Sequence, residues 1–343
     1  MNAMIAAMTI FLGCYTDDPH PCGLKTLALD VATGAMTITG EHRVSNALYQ
    51  ALSPDGRFLW SCTGEGLESF RIEGGKLVPV DSVGLGDCVC HVAAMPAGDR
   101  VVFADYLGGF GGSVKVAEGT FGETVRHAHT GCGPNLPRQK TAHCHQACPL
   151  PDGSGYVLVD LGLDELVTYP SGRVYKTAPL GAGPRHLLFH PNGRLAFLVS
   201  ELGNLITTLS WNAADGFHSL CTLPTRATPD KADLERSDST NLAAAIRLSP
   251  DGRRVIVSNR GENSLAAYDF DEATGSLSFK ARTLLPGSWP RDFIFVDDTT
   301  ALVAMERSGE VHAVRYDATT GEFKVLSTLG GLFRPVALLA VAR

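Results

Sequence analysis

The sequence predicts an all-β fold, a seven-bladed β-propeller with one blade closed by both chain termini. Three observations predict it. A hairpin unit recurs at intervals that suit a four-stranded blade, the two chain ends carry complementary halves of one more unit, and no convincing amphipathic helix separates the strands. Residues 1–343 read as one propeller domain, with no composition shift that marks a boundary.

In chain order, the first element is MTIFLGCYT at 8–16, an apolar strand like the second half of a hairpin. Its LeuGlyCys at 12–14 imitates a lipoprotein cleavage site, yet no Lys or Arg precedes Lys25, so the basic leader segment is missing and the strand reading is kept. YQALSPDGRFLWSC at 49–62 is the unit in full: apolar strand, Pro-Asp-Gly turn, apolar strand. HLLFHPNGRLAFLVS at 186–200 and AAIRLSPDGRRVIVSN at 245–259 repeat it, and looser copies occupy 91–105, 146–160 and 291–306. The turn positions Pro54, Pro96, Pro151, Pro191, Pro250 and Asp297 lie 40 to 59 residues apart. RPVALLAV at 334–341 resembles the strand before a turn and completes the unit begun at 8–16, removing free sheet edges. The segments after Glu201 and Glu262 each give two further alternating strands, the outer strands of a blade. TRATPDKADLERSDSTN at 225–241 is polar and aperiodic, a long loop.

Composition agrees with a turn-rich globular protein. Hydrophobic residues make up 44% and charged residues 19%, with 37 Gly and 19 Pro, which excludes disorder and a helical bundle. A formal net charge of −7 excludes bulk attraction to nucleic acid, so any bound anion must meet a local Arg cluster. No apolar run reaches membrane length. Nine cysteines without framework spacing point to reduced thiols and a cytoplasmic protein.

The start of a hairpin's first strand and the end of its second share one sheet edge. Counting six back from the turn gives His145, Arg185 and Arg291, with Arg334 as the equivalent in the split blade. Counting nine or ten forward gives Asp105, Asp160, Glu201, Asn259, Arg260 and Glu306. If the hairpins are the innermost pairs, these residues ring one mouth of the central channel, with Arg247 pointing into it from mid-strand. His143 shares a strand face with His145, and His186 adjoins Arg185. Guanidinium forks grip carboxylate and phosphate, so such a mouth suits a small anionic molecule. HCHQAC at 143–148 suggests zinc, but Cys148 falls off the face of His143 and His145 and no fourth ligand has familiar spacing, so no metal is expected. GGFGGS at 108–113 precedes no helix, which excludes a phosphate cradle, and no Gly-x-Ser-x-Gly elbow is present.

FLGCYT near the start, RQKTAHCHQ at 138–146, DLGLDEL at 160–166, GPRHLLFHPNG at 183–193, SEL at 200–202, AAIRLSPDG at 244–252, SNRGENS at 258–264 and WPRDF at 289–293 together resemble the bacterial lactonase family of seven-bladed propellers, which includes propeller-type 6-phosphogluconolactonases and carboxy-muconate lactonizing enzymes. The resemblance spans nearly the whole chain. It implies that His145, Arg185, Glu201 and Arg260 match the family's proposed catalytic residues, the four that edge counting also selects. A departure is MERSGE at 305–310, where Glu306 replaces an Asn-Gln-type pattern.

The expected activity is hydrolysis of a sugar-acid lactone, 6-phosphogluconolactone or a related aldonolactone or aldarolactone, without metal or cofactor. Glu201 or His145 would take a proton from water, Arg185 and Arg260 would stabilise the oxyanion, and Arg291, Arg334 or Arg247 would hold the anionic tail. His143, His186, Asp160, Asn259 and Glu306 complete the expected substrate-binding set. The expected partner is this small anionic substrate, with neither nucleic acid nor membrane, and oligomeric state is left open. A muconate-type lactonizing cycloisomerase needs a similar Arg clamp and proton donor. A non-catalytic scaffold would instead expose apolar rim patches.

Overall fold

The computed structural model describes residues 7–226 and 240–341. The polar loop expected at 225–241 therefore lies largely outside the described residues. All regular elements among those described are strands, with no helix long and apolar enough to cross a membrane.

Seven blades radiate from a central channel. In the first, β1 (Met8–Cys14), β2 (Leu24–Leu29) and β3 (Met36–His42) lie progressively outward. The second has β4 (Gln50–Leu52), β5 (Phe58–Cys62), β6 (Gly64–Glu73) and the first part of β7 (Lys76–Ala94). The end of β7 becomes the innermost strand of the third blade, followed by β8 (Arg100–Asp105), β9 (Phe110–Ala117) and β10 (Thr120–Ala128). One 19-residue strand thus fuses two blades into a seven-stranded sheet. The fourth blade is β11 (Cys144–Pro149), β12 (Tyr156–Asp160), β13 (Glu165–Tyr169) and β14 (Arg173–Lys176). The fifth is β15 (Pro184–Phe189), β16 (Leu195–Ser200), β17 (Leu205–Asn212) and β18 (Gly216–Pro224). The sixth is β19 (Leu242–Leu248), β20 (Arg254–Arg260), β21 (Ser264–Phe270) and β22 (Leu277–Leu284). The seventh is β23 (Pro290–Phe295), β24 (Thr300–Met305), β25 (Glu310–Tyr316) and β26 (Phe323–Leu329). Finally β27 (Pro335–Ala340) pairs antiparallel with β1 and lies innermost in the first blade.

The repeated turn explains the recurrent hairpin. Asp55, Asn192 and Asp251 each accept, through Oδ1, the backbone N–H two residues on, at 2.9 to 3.1 Å. The next residue, Gly56, Gly193 or Gly252, adopts φ of 68 to 70°, a left-handed conformation that only glycine enters without penalty. The flanking apolar residues pack between blades. Ile256, Leu265 and Ala267 meet Phe293, Val303 and Val314 of the next blade. The first blade buries Ile10 and Leu12 against Leu302 and Ala304 on one side, and Phe11 and Leu24 against Leu59 and Phe70 on the other. Innermost strands touch in the order β4, β7, β11, β15, β19, β23, β27 and back to β4, closing a ring.

Candidate active site

Four of the hairpins carry a defect at the same level. The β15–β16 ladder pairs Pro184 with Ser200 and His186 with Val199, so Arg185 is left as an unpaired bulge. The same shift isolates His145 in β11, Arg291 in β23 and Cys90 in β7. A bulge re-aims its side chain. These four, with Val336, line one small cavity of about 20 Å³ in the channel.

The residue after each second strand closes the mouth above them. Glu201 follows β16, and its N–H donates to the Gly183 carbonyl at 2.7 Å, which fixes the turn. Its buried carboxylate accepts at Oε2 from Arg185 Nε at 3.1 Å and Arg260 Nη2 at 2.7 Å, and at Oε1 from Arg138 Nη2 at 2.8 Å. Arg185 also donates to the Ala244 carbonyl, and Arg260 to those of Leu242 and Ala243. Burial alone would raise the Glu201 pKa, but Arg260 and then Arg185 hold it well below the ordinary carboxylate range. Arg185 moves the unfavourable way, down to about 9, through burial and the nearby Arg260 charge. The two directions are compatible, because one carboxylate is shared among three guanidiniums and leaves each only partly compensated.

A second carboxylate repeats the device. Glu306 Oε2 accepts from Arg291 Nη1 at 3.0 Å and Oε1 from Arg334 Nη2 at 2.5 Å, with both guanidiniums over the Tyr15 ring. Deeper in the channel Arg247 donates to Asp292 Oδ1 at 2.7 Å and lies beside the Tyr49 hydroxyl.

Imidazoles fill the remaining wall. His145 is buried edge-on to Tyr106 and His186, and its Nδ1 has no hydrogen-bond partner. Burial, then Arg185, holds it well below its usual pKa, so the ring is neutral. His186 is shifted the same way by burial and Arg185. His143 stacks on Tyr106 and binds that residue's carbonyl through Nδ1 at 2.8 Å.

The structure therefore gathers His145, Arg185, Glu201, Arg260, His186, Arg291 and Glu306, with His143, Arg247 and Arg334 around them. Two expected ligands are corrected. Asp160 is fully buried and turned inward, accepting the N–H groups of His143, Gly162 and Leu163 and a bond from His129. Asn259 is equally buried and bonds Thr225 and Ser264. Asp160 is the last residue of β12 and Asn259 the penultimate residue of β20, and alternation points both away from the face that the following residue presents. Arg334 is corrected in position: the bulge in β27 falls at Val336, between Pro335 and Ala337. Arg334 instead matches Trp289 and His143, whose carbonyls accept the same turn bond that Arg334 accepts from Tyr15. Counting missed Arg138, Tyr106 and Asp292. Arg138 lies in an aperiodic loop, so its only signal was its place in RQKTAHCHQ.

A model of the family described as "Lactonase, 7-bladed beta-propeller" matches residues 9–336. The chain belongs to this lactonase family. It is 31% identical over 348 residues to the 6-phosphogluconolactonase of Bacillus subtilis, covering 96% of this chain and 97% of that protein. Among solved structures, the periplasmic gluconolactonase PpgL of Pseudomonas aeruginosa matches with a TM-score of 0.88 at 25% identity, over 98% of this chain and 99% of that one. A Lactobacillus plantarum protein matches with a TM-score of 0.87 at 29% identity, over 98% and 100% of the two chains.

Within this lactonase fold the mouth holds five guanidiniums, Arg138, Arg185, Arg260, Arg291 and Arg334, against the carboxylates of Glu201 and Glu306. A net-negative chain thus concentrates a cationic surplus at one spot. Arg138 and Arg334, with side chains 37% and 49% exposed, are the two that face solvent most openly.

Proposed function

We propose that the protein hydrolyses an anionic sugar-acid lactone, 6-phosphogluconolactone or a close relative, at this mouth. The observation that carries the reading is the shared Glu201 carboxylate amid Arg185, Arg260 and Arg138, beside an imidazole with an unoccupied nitrogen. Family membership and the Bacillus relative's activity supply the reaction class.

Glu201 is poorly suited to the general base, because its ionised oxygens are already occupied by three guanidiniums. We assign the base to His145, which is uncharged and not tied down through Nδ1. It takes a proton from the attacking water, and Arg185 and Arg260 stabilise the oxyanion that forms on the lactone carbonyl. Glu201 fixes both guanidiniums and keeps their charge compensated before substrate arrives. Collapse of the tetrahedral intermediate breaks the ring C–O bond, and the imidazolium returns the proton to the leaving alkoxide. Arg291, Arg334 and Arg138 hold the phosphate or carboxylate, the part of the substrate that calls for a cationic surplus. The chemistry assigned to these side chains requires no metal. Nine free thiols support a reducing, cytoplasmic compartment.

The test is a panel of 6-phosphogluconolactone, gluconolactone and an aldarolactone with His145→Asn and Arg185→Met. Preference for the anionic lactones, with turnover reduced about 10²- to 10⁴-fold in both variants, is expected. Full turnover in His145→Asn overturns the base assignment. Isomerisation of a carboxy-muconate with no lactone hydrolysis overturns the reaction.

A further inference from the structure

We propose that His129 Nδ1, Cys144 Sγ and Asp160 Oδ2 form a buried site for one zinc-type divalent cation, which pins the loop carrying Arg138. Among the described residues these three present metal-ligating atoms within 4.8 Å of one another. The separations are 3.5 Å from His129 Nδ1 to Cys144 Sγ, 3.7 Å from that sulfur to Asp160 Oδ2, and 2.8 Å from Nδ1 to Oδ2.

Tetrahedral zinc has bonds of about 2.3 Å to sulfur and about 2.0 Å to nitrogen and oxygen, which sets ligands about 3.5 Å apart when one is sulfur and about 3.3 Å apart otherwise. Both sulfur separations already meet that geometry. Only the His129–Asp160 pair must open, by about half an ångström. The surroundings resemble a metal shell too. His129 Nε2 bonds the Tyr169 hydroxyl at 3.1 Å, the outer contact that orients a ligating imidazole, and Asp160 Oδ1 is held by three backbone N–H groups. Thiolate plus carboxylate neutralise a divalent ion. The Cys144 thiol releases its proton to solvent as the metal–sulfur bond forms, so binding consumes one cation and liberates one proton.

The sequence pattern HCHQAC first suggested zinc through His143, His145 and Cys148. The fold instead turns Cys144 to the opposite face, toward His129. His129 follows β10 of the third blade, whereas Cys144 and Asp160 belong to the fourth, so the ion would tie neighbouring blades. It would also clamp both ends of the 129–144 loop, from which Arg138 reaches Glu201. With the His129 and Asp160 side chains 5% and 0% exposed, the site is closed to substrate and its role is positional. It stands apart from the lactonase proposal, whose residues it does not include.

Purified protein exposed to excess Zn²⁺ and desalted is expected to retain about one zinc per chain by mass spectrometry, with Cys144→Ala retaining about none. Co²⁺ should give the wild type a thiolate-to-cobalt charge-transfer absorption that Cys144→Ala lacks, and Zn²⁺ should raise the Tm of the wild type alone. Absence of retained zinc and of the cobalt band in the wild type overturns the proposal and leaves a hydrogen-bonded triad. So does a band that survives in Cys144→Ala. If that variant misfolds, the wild-type measurements still decide, together with His129→Gln.

Discussion

Replacing Glu201 by Gln tests the compensated-charge account most directly. The substitution keeps the shape and one acceptor oxygen but removes the negative charge that Arg185 and Arg260 share at 3.1 and 2.7 Å. Both arginines are buried, and the high basicity of guanidinium keeps them charged there, so the substitution leaves them without their counterion. Removing one partner of a buried ion pair costs about 3–5 kcal/mol, because the survivor's desolvation is no longer offset. For 343 residues, an unfolding entropy of about 2 cal/mol/K per residue turns that into a fall in Tm of about 4–7 °C. Lactone turnover should fall about 10²- to 10³-fold as the oxyanion donors lose their fixed orientation. Thermal unfolding and steady-state assays of Glu201→Gln, Arg260→Gln and the double variant read both effects. Removing Arg260 relieves part of the uncompensated charge, so the double variant should be about 1–3 kcal/mol more stable than the sum of single effects. A single variant with unchanged Tm, or strict additivity of the two, refutes the reasoning.

Acid stability should depend on His91, whose pKa is pushed down to about 3 by burial, then by Arg247 and Arg185. The folded chain keeps it neutral while the unfolded chain protonates it near 6.5, so its contribution is intact above pH 6.5 and lost as pH falls. By pH 5 the loss is about 2 kcal/mol, and urea titrations of His91→Gln should show a flatter acid limb. Gly13→Ala should impair closure of the first blade, because a Cβ there would lie 1.9 Å from the Ala47 carbonyl oxygen and 2.4 Å from Gln50 Nε2. Calorimetry should record at least the 1–3 kcal/mol typical of overpacking, roughly, whereas Gly56→Ala, with open space around it, should cost about 1 kcal/mol from its φ alone. Raising salt from about 0.05 to 0.5 M should raise KM for a phosphorylated lactone more than for gluconolactone, since screening weakens the guanidinium surplus only for a charged substrate.

The propeller was legible because each blade repeats a Pro-Asp/Asn-Gly turn with a fixed chemical reason, an Asx bond followed by positive φ. The site was legible through the same ruler, since turn and bulge keep constant spacing in β11, β15 and β23. That ruler failed at Arg334, where the blade's two halves come from opposite chain ends and no turn exists from which to count. It also failed to separate Asp160 and Asn259 from Glu201 and Arg260, because adjacent residues at a strand end face opposite ways. Arg138 and Cys144 depend on how one irregular loop crosses between blades, which periodicity does not encode.

The strand that seals the ring follows the other described strands in the chain and lies innermost in its blade. Until β27 reaches β1, a nascent chain leaving the ribosome must hold six blades beside an unzipped first sheet, with Ile10, Phe11 and Leu12 lacking their inner neighbour. Removing the segment from Pro335 onward would therefore leave β1 as an open sheet edge, so one six-residue strand decides whether this molecule is a closed toroid.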